Sequence, residues 1–287
     1  MKWEGNRESD NVEDRRGSGG GGFGGRSIGL GTIAIALVAS YFLGINPLTV
    51  IEMMSGGNVT SVQQAQTPAG APANDTETRF VRTVLADTED TWSALFRNSD
   101  ATYAPPTLVL FAGATPTACG TGQSASGPFY CPADQKLYID LSFFQLMRER
   151  FQVNSEFAQA YVIAHEIGHH VQHLTGIDEQ VRRAQGRMSQ VQANNLSVRT
   201  ELQADCYAGV WAHHANQARG IIEQGDVEGA LRAATAIGDD ALQRQSQGHV
   251  VPDSFTHGSS AQRTRWFSLG LERGRIEDCD TFKARQL

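Results

Sequence analysis

One heptapeptide, Ala164-His165-Glu166-Ile167-Gly168-His169-His170, constrains what this chain can fold into more than any other stretch. The H-E-x-x-H spacing has chemical meaning only on an α-helix, where residues i and i+4 share a face and the imidazoles of His165 and His169 can converge on one cation. Glu166, about 100° further round, can reach a water on that cation without being a ligand. A polar helix face that carries histidines by chance would give the same letters, so the remaining parts of a site must be sought elsewhere. A catalytic zinc takes three protein ligands and leaves a fourth position for water. One ligand is therefore missing.

Glu201-Leu202-Gln203-Ala204-Asp205 offers it. Glu201 and Asp205 are i,i+4 on one face of a strongly helical run over 198–217, so Glu201 can join the metal while Asp205 accepts the free N–H of a ligand histidine, His165 by preference. Alone, the pair would read as two solvated carboxylates. Beside an H-E-x-x-H helix, and followed by an apolar Cys-Tyr-Ala-Gly-Val-Trp run, it reads as part of a site. A tetrahedral oxyanion needs a further donor, and His257 in Phe255-Thr256-His257-Gly258-Ser259-Ser260 is the candidate, against a loop histidine that merely caps a helix. None of His170, His173, His213 and His214 is assigned to the metal. Gly168 is expected to admit another helix or strand at close range.

Around this site the chain divides by composition. Residues 1–26 mix charges of both signs and run into a glycine-rich stretch, which predicts a disordered tail. Residues 27–45 are almost wholly apolar and uncharged, long enough to cross a bilayer as one helix, with a cleaved signal peptide as the alternative. Five Lys or Arg residues precede the run and none follows before Arg79, so the positive-inside rule places the tail in the cytoplasm and the remainder outside. The expectation is a single-pass inner-membrane protein with a periplasmic domain. Residues 46–74 read as a linker and 75–287 as the folded domain, which 40% hydrophobic residues overall can supply with a core. A net charge of −7 without a basic block argues against nucleic acid as a partner.

Within the domain, helical spacing predicts a helix over 77–96, Thr107–Phe111 reads as a strand and Lys136–Leu141 as another, and Ser155 is a good N-cap for the motif helix, which ends near Leu174. A polar stretch over 178–195 is either a surface helix or a mobile segment. Further helical spacing follows Asp226, and a last helix covers 260–270. The class is α+β, mainly helical, with a small sheet. The four cysteines show no CxxC pair, which argues against a cysteine zinc site. In an oxidising compartment Cys119 with Cys131 would close a Gly/Ser-rich loop, and Cys206 with Cys279 would tie the C-terminus to the helix of Glu201, with free thiols as the alternative in each case.

The HEIGHH run, the ELQAD-CYAGVWA helix, FTHGSSAQR and the closing CDTF together resemble the neutral zinc metallopeptidases of YpfJ type over nearly the whole chain. The local pattern is also similar to the wider gluzincin peptidases. That resemblance implies a zincin-like domain holding one Zn2+ per chain on His165, His169 and Glu201, with Asp205 behind them and Glu166 as general base. By the same analogy His257 stabilises the oxyanion, Arg263 anchors its loop, and an extended substrate pairs with the sheet edge at Tyr138-Ile139-Asp140. The implied activity is hydrolysis of a peptide or protein. A zinc-stabilised binding or assembly module of the envelope and a zinc amidase on a non-protein substrate are the alternatives. Nothing in the sequence specifies an oligomeric state.

Overall fold

The helix that carries H-E-x-x-H starts where the sequence predicts. Ser155 is extended and its side chain accepts from the Ala158 N–H, the helix runs Glu156–Leu174, and Gly176 leaves it at φ 74°. The computed structural model describes residues 1–16, 74–97, 102–124 and 127–287. Among these the chain is mainly helical with two small sheets, an α+β arrangement.

In chain order the elements are β1 (Val12–Asp14), α1 (Thr76–Arg97), β2 (Thr107–Phe111), β3 (Ala114–Thr117), β4 (Gly120–Gln123), β5 (Phe129–Cys131), β6 (Lys136–Asp140), α2 (Ser142–Arg150) and α3 (Glu156–Leu174). Then follow α4 (Ile177–Gln185), α5 (Gln190–Arg219), α6 (Asp226–Ala236), α7 (Asp239–Gln247) and α8 (Ser260–Arg273), with a short 3-10 turn at Ile276–Cys279. The polar stretch expected as surface helix or mobile segment is divided between α4 and the first turns of α5. A capping box in which Ser189 and Gln192 satisfy each other's N–H groups begins α5 at Gln190, so the helix holding Glu201 is 30 residues long.

The four-stranded sheet has the order β1-β2-β6-β5, with β1, β2 and β6 parallel and β5 antiparallel to β6. Strands β3 and β4 form a separate antiparallel hairpin. The expectation that a substrate would pair at Tyr138-Ile139-Asp140 is corrected here. This segment lies in β6, a buried interior strand paired with β2 throughout and with β5 at Tyr138, so Tyr138 offers no free edge. The edge strands are β1 and β5, each 3 residues long and too short to show an alternation in sequence.

The N-terminus departs furthest from expectation. Residues 1–16 belong to the folded unit rather than to a disordered tail. Val12, Glu13 and Asp14 pair with Leu108, Val109 and Leu110, and Trp3 is buried edge-on to Phe80 with its indole N–H donating to Glu156 at 3.1 Å. The charges that read as solvated have partners. Arg7 pairs with Glu89 and Asp90, and Arg16 with Asp14 and Asp75. With β1 and β2 in one sheet, residues 1–16 are tied to the rest of the folded unit. The apolar run 27–45 and the linker from 46 to 73 lie outside the described residues, and no helix among the described residues is long and apolar enough to cross a membrane.

The main core fills the space between the sheet and α1, α3, α5 and α8. Trp92 and Trp211 are fully buried, and the Trp211 indole N–H donates to Asp87 at 2.7 Å. Removing a large side chain of this kind from water is worth roughly 1.5–3 kcal/mol. Two glycines bring α5 and α8 into backbone contact, since a Cβ on Gly270 would stand 2.0 Å from the Cys206 carbonyl and one on Gly209 2.2 Å from the Phe267 carbonyl. Gly168 does the same for α3, where a Cβ would meet the Ala204 carbonyl of α5 at 2.9 Å. Both disulfides are formed, Cys119 with Cys131 and Cys206 with Cys279.

Candidate metal centre

The close crossing at Gly168 sets the first turn of H-E-x-x-H directly against the Glu201–Asp205 turn of α5. His165 Nε2 lies 3.2 Å from Glu201 Oε2, and His169 Nε2 lies 3.5 Å from Glu201 Oε1. Atoms placed tetrahedrally about a zinc ion at about 2.0–2.1 Å are separated by roughly 3.3–3.4 Å. The two distances run to different oxygens of one carboxylate, so the two imidazoles face Glu201 together at spacings close to those of zinc ligands, a donor set that suits that metal. Among the described residues, this trio is the group of histidine, cysteine and acidic side chains whose ligand atoms lie within 4.8 Å of one another.

Electrostatics reinforce the grouping. Burial disfavours the charge on each member, but the mutual attraction outweighs it. The neighbouring imidazoles, His169 first, hold the Glu201 carboxyl well below its ordinary value. His169 is raised by Glu201 in return. Asp205 and Glu201 lift His165 to about 9. Glu166 is different, because burial pushes its carboxyl up against the pull of His169, His165 and the backbone N–H of Tyr130. The carboxylate thus sits between the paired imidazoles and the edge strand β5.

Behind the trio lies a fully buried ionic cluster. Asp205 Oδ1 is 2.8 Å from His165 Nδ1 and accepts the Tyr161 hydroxyl at 2.6 Å. Arg263 donates to both Asp205 oxygens at 2.9 Å. Burial would raise the Asp205 carboxyl, yet Arg263 and then His165 bring it down to about 2. With its carboxylate committed to acceptance, Asp205 holds His165 as the Nδ1–H form and turns Nε2 toward Glu201. The resemblance placed Arg263 under the His257 loop. It is instead clamped to Asp205, with further hydrogen bonds to the Tyr161 hydroxyl at 3.3 Å and the Ile237 carbonyl at 3.4 Å.

The loop is anchored by Asp239, which the sequence reading missed. One Asp239 oxygen accepts from the backbone N–H groups of Thr256, His257 and Gly258, and the other faces His257 Nδ1 at 3.2 Å. This hydrogen bond, helped by the charge on Glu201, raises the His257 pKa above its ordinary value. The ring itself is exposed.

His170, also unassigned, has a structural part. Its Nε2–H donates to the Ala104 carbonyl at 2.7 Å, which leaves Nδ1 to accept the Tyr130 hydroxyl at 2.9 Å. Burial lowers its pKa to about 4, so it holds β5 against α3 as a neutral ring. His173 turns away to Asp178 at the start of α4. The only sequence signal for His170 was its place one residue beyond His169, on a different helix face.

Comparison with known proteins gives a consistent picture. The family described as "Putative neutral zinc metallopeptidase" matches residues 1–282. The uncharacterized protein YpfJ of Escherichia coli K12 is 51% identical over 290 residues, covering 98% of this chain and 99% of that one. The uncharacterized protein Rv2575 of Mycobacterium tuberculosis H37Rv is 42% identical over 234 residues, covering 78% and 76% respectively. No solved structure matches the chain.

Proposed function

The chain belongs to the neutral zinc metallopeptidase family, and from that premise we propose that it is a gluzincin-like peptidase with its zinc held by His165, His169 and Glu201. The observation that carries the reading is the convergence of those three side chains with the buried carboxyl of Glu166 beside them. Zinc bound there would supply a Lewis acid for the scissile carbonyl and would acidify a water.

Glu166 does the proton work. It takes a proton from the attacking water and returns it to the leaving amine, a role suited to a carboxyl that burial has made more basic than usual. Asp205, held by Arg263, keeps His165 in the tautomer that presents Nε2. His257 approaches from the Asp239-anchored loop as the donor to the developing oxyanion, its positive charge favoured by Asp239. The free edge of β5, whose Tyr130 N–H already serves Glu166, is where an extended peptide would add as a strand.

For localisation we favour an extracytoplasmic domain, supported by the two disulfides. Because β1 pairs with β2, residues 1–16 stay with the domain, and the apolar run 27–45 would attach both to the membrane without a single crossing between them.

The test is metal analysis of the purified protein together with cleavage of a peptide library by wild type and Glu166→Gln. The expected result is one zinc per chain and a rate reduced by roughly 10²–10⁴-fold in the variant. One zinc per chain with no Glu166-dependent cleavage would reject the peptidase in favour of a zinc-stabilised binding module.

A further inference from the structure

His165 has an obvious orienting partner in Asp205, but His169 has no carboxylate behind it. Its Nδ1 lies 2.9 Å from Gln172 Oε1. The Gln172 amide nitrogen donates to the Thr200 carbonyl at 2.7 Å and to Gln203 Oε1 at 3.1 Å. The Gln203 nitrogen in turn donates to the Cys279 carbonyl at 3.0 Å. Gln172 and Gln203 are 1% and 4% exposed, so water cannot substitute for any of these partners.

The direction of this chain follows from its far end and does not depend on how either amide was placed. A backbone carbonyl can only accept, so Gln203 must turn its NH2 to Cys279 and its oxygen to Gln172. Gln172 then faces two acceptors, Thr200 O and Gln203 Oε1, and must give both of its N–H groups to them. Its oxygen is left for His169, whose Nδ1 must carry a hydrogen. Nε2 is thereby left as the nitrogen that faces Glu201 and can give its lone pair to a metal.

The end point of the chain is fixed in its turn. Cys279 is bonded to Cys206, the residue after Asp205. Just beyond it the Thr281 hydroxyl donates to the Arg199 carbonyl at 2.6 Å, and the Arg199 guanidinium donates to the carbonyls of Thr281 and Ala284.

We propose that Gln172 and Gln203 are positioning residues that carry the placement of the disulfide-clamped Cys279 carbonyl to the His169 ring, so that the C-terminal segment sets the affinity of the centre for zinc. The inference rests on the zinc reading above. It concerns residues that touch neither metal nor substrate.

The experiment is a zinc titration of the full chain against a chromophoric chelator at fixed pH, for wild type, Gln172→Met, Gln203→Met and the double variant, alongside thermal melting of each metal-free protein. Gln172→Met is expected to raise the zinc Kd by roughly 10–100-fold. Gln203→Met is expected to raise it by a smaller factor, and the double variant to bind no worse than Gln172→Met, since both break one chain. A folded Gln172→Met protein with a Kd within about twofold of wild type overturns the proposal, even if its metal-free form melts lower. Nitrogen NMR of the zinc-loaded wild type supplies a test free of any folding defect. The expected spectrum has His169 ligated through Nε2, with a slowly exchanging Nδ1 proton. Ligation through Nδ1, or fast exchange of that proton, overturns the proposal. A wild-type protein that binds no zinc overturns the functional reading together with this one, whereas wild-type-like affinity in the variants overturns this one alone.

Discussion

Replacing Arg263 with methionine isolates the ionic cluster behind the metal centre. The guanidinium is 3% exposed and gives two hydrogen bonds of 2.9 Å to Asp205, itself 0% exposed. Methionine keeps much of the side-chain length and is apolar, so the cavity is small and the effect is electrostatic. Asp205 would retain Tyr161 and His165 but lose its permanent cation. Removing one member of a buried ion pair costs roughly 3–5 kcal/mol, because the remaining charge is left uncompensated. In a protein of this size each kcal/mol moves the midpoint by about 2–4 °C, so the metal-free variant should melt about 6–20 °C lower at pH 7. The pH dependence gives the sign. Asp205 is depressed to about 2, so its contribution is complete above the ordinary carboxylate range near 4 and disappears as pH falls through about 2. The gap between wild type and variant should therefore narrow as the solution is acidified. Urea and thermal denaturation of metal-free protein between pH 3 and pH 7 measure this without contribution from bound zinc. A variant within about 1 kcal/mol of wild type at pH 7, or a gap that grows toward pH 3, would refute the reasoning.

Other perturbations test the remaining parts of the fold. Trp3→Ala removes a 5% exposed indole and its bond to Glu156, and should cost roughly 3–5 kcal/mol in urea denaturation, whereas an unchanged midpoint would return residues 1–16 to the status of a loose tail. Gly270→Ala forces a methyl group to within 2.0 Å of the Cys206 carbonyl, so α8 must shift off α5 at a cost of roughly 1–3 kcal/mol or more, readable as a lower thermal midpoint. Asp239→Ala strips three backbone N–H groups and the His257 ring of their acceptor. In an NMR titration the His257 pKa should drop toward the ordinary histidine value of about 6.5, and an unmoved titration would show that another group holds it up.

Much of the centre was legible in the amino-acid order because its geometry is local to each helix. The i,i+4 spacing alone puts His165 with His169, and Glu201 with Asp205, and Ser155 announces the start of the motif helix. The 30-residue length of α5 was harder to see. Its polar first turns carry no apolar stripe, and the capping box at Ser189 was overlooked. The edge strand was misplaced for a different reason. Tyr138-Ile139-Asp140 has the stronger strand pattern because it is buried on both sides, while the true edge at Phe129–Cys131 is only 3 residues long.

By itself the sequence determined the motif helix and the shared faces that pair His165 with His169 and Glu201 with Asp205, since helical periodicity and capping depend on residues within a few positions of one another. Tertiary structure alone decided which distant groups meet. Local composition made residues 1–16 look solvated, but Arg7 finds Glu89 and Asp90, Arg16 finds Asp75, and Val12 finds Leu108. It likewise moved Arg263 from the His257 loop to Asp205 and gave the loop to Asp239. A charge beside others in sequence reads as exposed until the partner that neutralises it is brought up from elsewhere in the chain, and that partner is supplied by packing, not by spacing.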